Sequence, residues 1–103
     1  MEEFRRAVAS SKLPPGSMLS VEVDGETVLL ANIDGTYYGM GGICTHAEWD
    51  LSEGSLEGAR VTCAGHGSVW ELATGRAEFD EQLADEPLYD VKEEDGFLLV
   101  RRR

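Results

Sequence analysis

At 103 residues, of which 42% are hydrophobic and 28% charged, the chain is long enough for one domain with a modest core. Its net charge of −11, from 20 acidic and 9 basic side chains, argues against a nucleic-acid-binding protein, because phosphate contact needs clustered Lys and Arg. It also lacks the run of about 18 apolar residues of a membrane span and the start of a secretory signal, so we expect a soluble, cytoplasmic protein.

Three Asp-Gly pairs, which begin at Asp24, Asp34 and Asp95, predict tight β-hairpins. Such pairs favour two-residue turns because both residues tolerate a positive φ. The pairs lie beside apolar or β-branched segments, which we predict as strands over residues 18–23, 27–30, 36–40, 89–92 and 97–100. We expect the basic end of the chain, 101–103, to be frayed.

The middle of the chain alternates turns with short strands. We predict turns over 51–54 and 56–58, strands over 59–62 and 67–71, and a turn at 74–75. Helix signals are weak, and the best is a single turn over 79–83. Short strands at this spacing predict an all-β fold, a small antiparallel β sandwich or open barrel.

All the cysteines and histidines of the chain lie in two short clusters. Cys44-Thr45-His46 is followed, after sixteen intervening residues, by Cys63-Ala64-Gly65-His66. Each cluster offers one thiolate and one imidazole, so two loops could place four ligands around one point. We therefore predict a metal centre with the ligands Cys44, His46, Cys63 and His66.

Two kinds of metal centre accept this ligand set. Zinc would take it as a tetrahedral site, although common zinc spacings group Cys with Cys and His with His. A [2Fe–2S] cluster suits the mixed order, because one iron can take both cysteines and the other both histidines. A disulfide between the two cysteines is the alternative without a metal, which an intracellular setting disfavours.

These residues make the chain resemble the Rieske family, and its size and hairpins are similar to those of soluble Rieske-type ferredoxins. The resemblance also rests on the 51–54 turn, on Gly67 and on the 74–75 turn. It implies one [2Fe–2S] cluster per chain, with Cys44 and Cys63 on the inner iron and His46 and His66 on the outer iron. It also implies one domain, 1–103, in which a subdomain of two loops, approximately 42–76, binds the cluster.

The same resemblance indicates residues around the cluster. Gly65 and Gly67 would permit tight loops and close backbone approach to the sulfides. Ser68 would donate a hydrogen bond to a cluster sulfur, which stabilises the reduced cluster and raises its potential. The chain departs from the family at Ala64, where many members have proline, and in the covering loop, which retains only Pro87.

The function that the resemblance implies is electron transfer, and the chain would not be an enzyme. A flavin-containing NAD(P)H-dependent reductase would supply one electron, and a terminal oxygenase would receive it from a monomeric carrier. The acidic stretch 78–95, with nine carboxylates, is either a solvated face or a surface that steers a basic partner.

Three alternatives compete with this function. The first is the small Rieske-like subunit of a nitrite reductase, and the second is a structural zinc-binding module. The third, the catalytic subunit of an oxygenase, needs two further histidines for a mononuclear iron, and the chain has none to spare.

Overall fold

The computed structural model describes residues 3–43, 50–64, 69–78 and 86–103. In these ranges the chain forms strands and two 3₁₀ turns, Ser10–Lys12 and Leu51–Glu53. The strands are β1 (Arg5–Ala9), β2 (Ser17–Val23), β3 (Glu26–Ile33), β4 (Thr36–Gly41), β5 (Ser55–Glu57), β6 (Arg60–Thr62), β7 (Val69–Glu71), β8 (Ala77–Glu78), β9 (Leu88–Glu94) and β10 (Phe97–Arg102). Within the same ranges, no helix has the length and apolarity to cross a membrane.

The strands form two antiparallel sheets. The larger sheet has the order β1-β10-β9-β4-β3-β2, and the smaller sheet has the order β5-β6-β7-β8. The edges of the larger sheet curl toward each other, since Arg5 of β1 forms an ion pair of 3.3 Å with Asp24 at the end of β2. The larger sheet is thus an open barrel with the smaller sheet beside it, and the predicted all-β fold is confirmed.

The three predicted hairpins are present at the three Asp-Gly pairs. Asp24, Asp34 and Asp95 have φ values of 52°, 53° and 53°, and the glycine that follows each also has a positive φ. Positive φ at both central residues defines the type I′ turn, whose twist matches that of the flanking strands. These turns set the registers of β2 with β3, β3 with β4 and β9 with β10.

Strand β3 is the wall shared by the two hydrophobic cores. Its residues alternate between faces, so Leu29 and Ala31 lie in one core while Val28 and Leu30 lie in the other. The first core lies between the sheets and contains Leu29, Ala31, Met40, Leu51, Val61, Cys63, Trp70 and Leu72. The second core, inside the barrel, contains Leu13, Val28, Leu30, Tyr89, Leu98 and Val100.

The structure corrects several sequence predictions. Strands β1 and β8 were not predicted, and β5 replaces the start of the predicted turn over 56–58. The basic end is not frayed in the structure: Arg101 and Arg102 belong to β10, and Arg101 and Arg103 both bond to Asp90. The helical turn predicted over 79–83 lies outside the described residues.

Candidate metal centre

The first candidate loop begins and ends at paired residues. Ile43 and Asp50 form an isolated antiparallel bridge, and the amide of Leu51 donates to the carbonyl of Gly42 at 2.7 Å. The six residues between them, 44–49, include Cys44 and His46 and lie outside the described residues. The chain therefore leaves the end of β4 and returns to it with the first ligand pair in between.

The second candidate loop connects β6 to β7, and it too begins and ends at residues that pair with each other. Thr62 pairs with Val69, and Cys63 is the first residue beyond the strand. Cys63 is 1% exposed and carries a free thiol, so the disulfide alternative is not supported. A buried thiol at the base of a loop can bind a metal as thiolate.

The two loop bases touch at Gly54, which follows the 3₁₀ turn after the first loop. A Cβ atom on Gly54 would collide with the carbonyl oxygen of Thr62 and would lie 3.3 Å from the amide nitrogen of Ala64. Pairing of Ser55 with Thr62 continues this contact into the smaller sheet. The fold thereby brings the end of the first loop against the start of the second.

Asp50 fixes the exit of the first loop through its carboxylate. The amide and hydroxyl of Ser52 donate to Oδ1 at 2.9 and 2.7 Å, and the Ser20 hydroxyl of β2 donates to Oδ2 at 3.0 Å. Burial alone raises the pKa of Asp50, but these hydrogen bonds outweigh it and hold the pKa below its usual value. The ionised carboxylate therefore connects the loop to the larger sheet.

Residues 86–87 connect the smaller sheet to β4. The Glu86 amide donates to the carbonyl of Gly75 at 2.7 Å, and the Gly41 amide donates to the carbonyl of Pro87 at 2.8 Å. Glu86 is 5% exposed although it belongs to the acidic stretch, so that stretch is not entirely a solvated face. Pro87, the retained proline of the expected covering loop, is half-buried, and residues 79–85 before it are not described.

Trp70 lies in the core between the sheets, directly opposite Val61 across the β6–β7 pair. It is fully buried, and its indole nitrogen Nε1 has no hydrogen-bond partner among the residues that the structure describes. Trp70 is therefore a packing residue of this core, but packing alone does not explain the buried N–H group.

Only part of the predicted site can be compared with the structure. Cys63 is described, whereas Cys44, His46 and His66 lie outside the described residues, as do Gly65, Gly67 and Ser68. Within the described ranges, no three His, Cys, Asp or Glu side chains come together as metal ligands. The ligand set stays a prediction, and the structure adds the paired loop bases that it requires.

Two residues that support the loops were not singled out in the sequence. Asp50 had a local signal, because an Asp two residues before a Ser often caps a turn through its side chain. Glu86 had none, since its burial depends on strands that are distant in sequence.

Comparison with known proteins relates most of the chain to one family. The family model of the Rieske [2Fe–2S] domain matches residues 3–92. The biphenyl dioxygenase ferredoxin subunit of Pseudomonas sp. (strain KKS102) is 33% identical over 98 residues, which cover 94% of this chain and 90% of that protein.

Solved structures share the fold. The ferredoxin of carbazole 1,9a-dioxygenase from Nocardioides aromaticivorans IC177 superimposes with a TM-score of 0.89 at 23% identity, covering 99% of this chain and 100% of that one. A protein assigned as the small subunit of an NADH-dependent nitrite reductase from Mycobacterium tuberculosis gives 0.85 at 21%, covering 100% and 96%. At these identities the two structures establish the fold alone.

Proposed function

Because the chain belongs to the Rieske [2Fe–2S] domain family, we propose that it is a soluble electron-transfer ferredoxin with one [2Fe–2S] cluster. The observation that carries this proposal is the similarity, over 94% of the chain, to a ferredoxin subunit of a dioxygenase. When bound, such a cluster accepts and releases one electron at a time. The protein around it holds the cluster and limits its contact with water.

The described residues fit such a cluster in their chemistry. Cys63 supplies a buried free thiol at the loop base, and Trp70 supplies a buried N–H group in the same core. The contact between Gly54 and Thr62 leaves no room for a side chain, so it holds the two loop bases together. These features suit a site that draws ligands from both loops.

We assign four ligands within one domain, 1–103, whose cluster-binding subdomain is approximately 42–76. Cys44 and Cys63 would hold the inner iron as thiolates, and His46 and His66 would hold the outer iron through neutral imidazoles. Neutral ligands on the outer iron favour the added electron there, because the thiolates already place negative charge on the inner iron. The outer histidines would therefore face the partner.

The partners follow from the family and from the charge. An NAD(P)H-dependent flavin reductase would reduce the carrier, and a terminal oxygenase would oxidise it. Glu53 and Glu57 are exposed beside the contact between the loop bases, and the whole chain carries a charge of −11. Acidic side chains at this position would speed encounters with a basic partner surface and make the rates sensitive to salt.

The first experiment tests the cluster. Purified protein, as isolated and after dithionite reduction, is examined by optical and pulsed EPR spectroscopy with metal analysis. We expect two irons per chain and a reduced signal coupled to histidine nitrogens, and we expect Cys63→Ser to lose both. A colourless protein with one zinc would contradict the proposal in favour of the structural zinc module.

The second experiment tests the direction of electron flow. The reductase and oxygenase of a biphenyl dioxygenase system are combined with NADH, with and without this protein, and product is measured. We expect product only when the protein is present, and a lower rate at high salt. Glu53→Gln should slow transfer at low salt more than Glu93→Gln, which removes the same charge from an exposed position of β9.

The nitrite reductase alternative shares the fold but predicts a different result. A subunit that uses the fold structurally would bind no cluster and would not support oxygenase turnover.

Size-exclusion chromatography with light scattering on the same preparation would test the expected monomer.

A further inference from the structure

Glu86 places a carboxyl group in the interior of the protein. It is 5% exposed, and no other Asp or Glu of the described ranges is buried. Burial removes the hydration that stabilises a charged carboxylate, so a buried acid costs stability. An apolar residue of similar volume often fills such a place at no loss, so stability alone does not explain an acid here.

Two glycines enclose Glu86. Its amide donates to the carbonyl of Gly75 at 2.7 Å, and a Cβ atom on Gly75 would collide with the Glu86 carbonyl oxygen. On the other side, a Cβ atom on Gly41 would collide with the carboxyl oxygen Oε1 of Glu86. Gly41 lies in β4 and its φ is not positive, so glycine is needed there to make room for the carboxyl group. The fold thus holds the carboxyl group against the backbone of β4.

The carboxyl group lies close to the first candidate loop. Gly41 comes directly before the base of that loop, and it precedes the predicted ligand Cys44 by three residues. Three residues of extended chain span about 11 Å at most. A cluster bound through Cys44 would therefore lie on the order of 12 Å from the carboxyl group of Glu86.

We propose that Glu86 is ionised in this buried position and lowers the reduction potential of the [2Fe–2S] cluster. The inference goes beyond the proposed function and rests on it, because the charge acts on the bound cluster. Reduction adds one electron to the cluster, and no bond of the protein forms or breaks. The negative charge of Glu86 opposes that electron, so it stabilises the oxidised form relative to the reduced form.

Burial makes the charge of Glu86 more effective than the charge of an exposed acid. Two unit charges about 12 Å apart, with an effective dielectric constant of about 20, change an equilibrium about tenfold. Through water, with a dielectric constant of about 80, the same pair changes it about twofold. Dissolved salt weakens the exposed charge further. An exposed glutamate is therefore the matched control for Glu86.

The test compares Glu86→Gln with Glu93→Gln, which removes the same charge from an exposed position of β9. Potentials of the cluster-loaded proteins are measured by EPR-monitored redox titration. We expect Glu86→Gln to raise the ratio of reduced to oxidised protein at a fixed potential about tenfold, by about 59 mV. Glu93→Gln should change this ratio about twofold or less. A loaded Glu86→Gln protein with the wild-type potential would overturn the inference and leave the proposed function intact.

Two further variants separate the charge of Glu86 from its packing. Glu86→Met removes the charge with an apolar side chain of similar volume, a replacement that proteins often tolerate, and we expect the same rise in potential. Glu86→Asp keeps the charge, so we expect a potential close to that of the wild type. An equal rise in Glu86→Asp would overturn the inference. So would a rise in Glu86→Gln that disappears in about 1 M salt, where the Debye length is about 3 Å.

The wild-type protein gives a measurement that needs no variant. Infrared difference spectra between its reduced and oxidised states are recorded with ¹³C in the glutamate carboxyl groups. We expect an isotope-sensitive carboxylate band that shifts on reduction. Its absence, or a band of a protonated glutamic acid, would overturn the inference even if every variant at Glu86 failed to fold. A wild-type protein that binds no cluster would refute the proposed function, and this inference with it.

Discussion

The α-carbon of Gly54 lies against the carbonyl oxygen of Thr62, with no room for a side chain between them. Gly54 has a φ of −84°, which any residue can adopt, so the position requires glycine for space and not for backbone freedom. The contact joins the end of the first candidate loop to the start of the second. We expect this contact to help align the two predicted ligand pairs, which are far apart in the sequence.

Replacement of this glycine should therefore loosen both loops. We expect Gly54→Ala to lower the free energy of unfolding by about 1–3 kcal/mol, the usual cost of forcing a group into a packed space. Cluster content per chain should fall as well. Urea denaturation and iron analysis would measure the two effects. Ser55→Ala, at the exposed next residue, is the control and should change stability by less than about 0.5 kcal/mol.

Asp50 should make stability depend on acidic pH. Its pKa is lowered in the folded protein, so its stabilisation is fully present above the unfolded value near 3.8 and is lost as pH falls through the lower folded value. We expect Asp50→Asn to cost about 1–3 kcal/mol at pH 7. The gap from the wild type should narrow in acid.

Urea unfolding at a series of pH values would measure this gap. Glu57→Gln removes one negative charge at an exposed position and controls for the change in net charge. The difference in free energy of unfolding between Asp50→Asn and the wild type should shrink in acid. If this difference stays constant down to the lowest pH, the ionised carboxylate of Asp50 does not stabilise the fold.

The C-terminal arginines should contribute a small, salt-dependent stabilisation. Arg103 and Arg101 bond to Asp90 at 2.7 and 3.0 Å, and these bonds hold the pKa of Asp90 below its usual range. Pairs this exposed contribute about 0.2–1 kcal/mol. Arg103→Ala should lose an amount in that range at low salt, and less at high salt. Arg102→Ala, at an exposed neighbour, tests whether the effect is specific to the pair.

The potential of the cluster should lie in the lower half of the Rieske range of roughly −150 to +300 mV. The resemblance to the Rieske family implies that Ser68 raises it by a hydrogen bond to a cluster sulfur. Ser68→Ala should then have a lower potential than the wild type, measured by redox titration of both cluster-loaded proteins. An unchanged potential in a cluster-loaded Ser68→Ala protein would refute the role of this serine.

Local chemistry explains what was predictable from the sequence. The Asp-Gly turns, the strands beside them and the all-β class depend on neighbouring residues, since φ preference and alternation act over a few positions. The ligand set could also be proposed from sequence, because cysteine and histidine are rare here and occur only in two clusters. Strand β1 was missed because it is defined by its pairing with β10 at the other end of the chain, and β8 was missed because its two residues are too few to show alternation.

The sequence by itself determined the hairpins, the fold class and the residue types available to hold a metal. Only the tertiary structure decided that Gly54 meets Thr62, that Asp50 bonds to Ser20, and that Trp70 is buried in the same core as Cys63 with no acceptor for its N–H among the residues described. Asp50 and Ser20 are 30 residues apart in the sequence, and the other two relationships depend on how the short strands of the smaller sheet pair and pack. They arise when the two sheets pack around a shared core, and packing is a property of the whole fold.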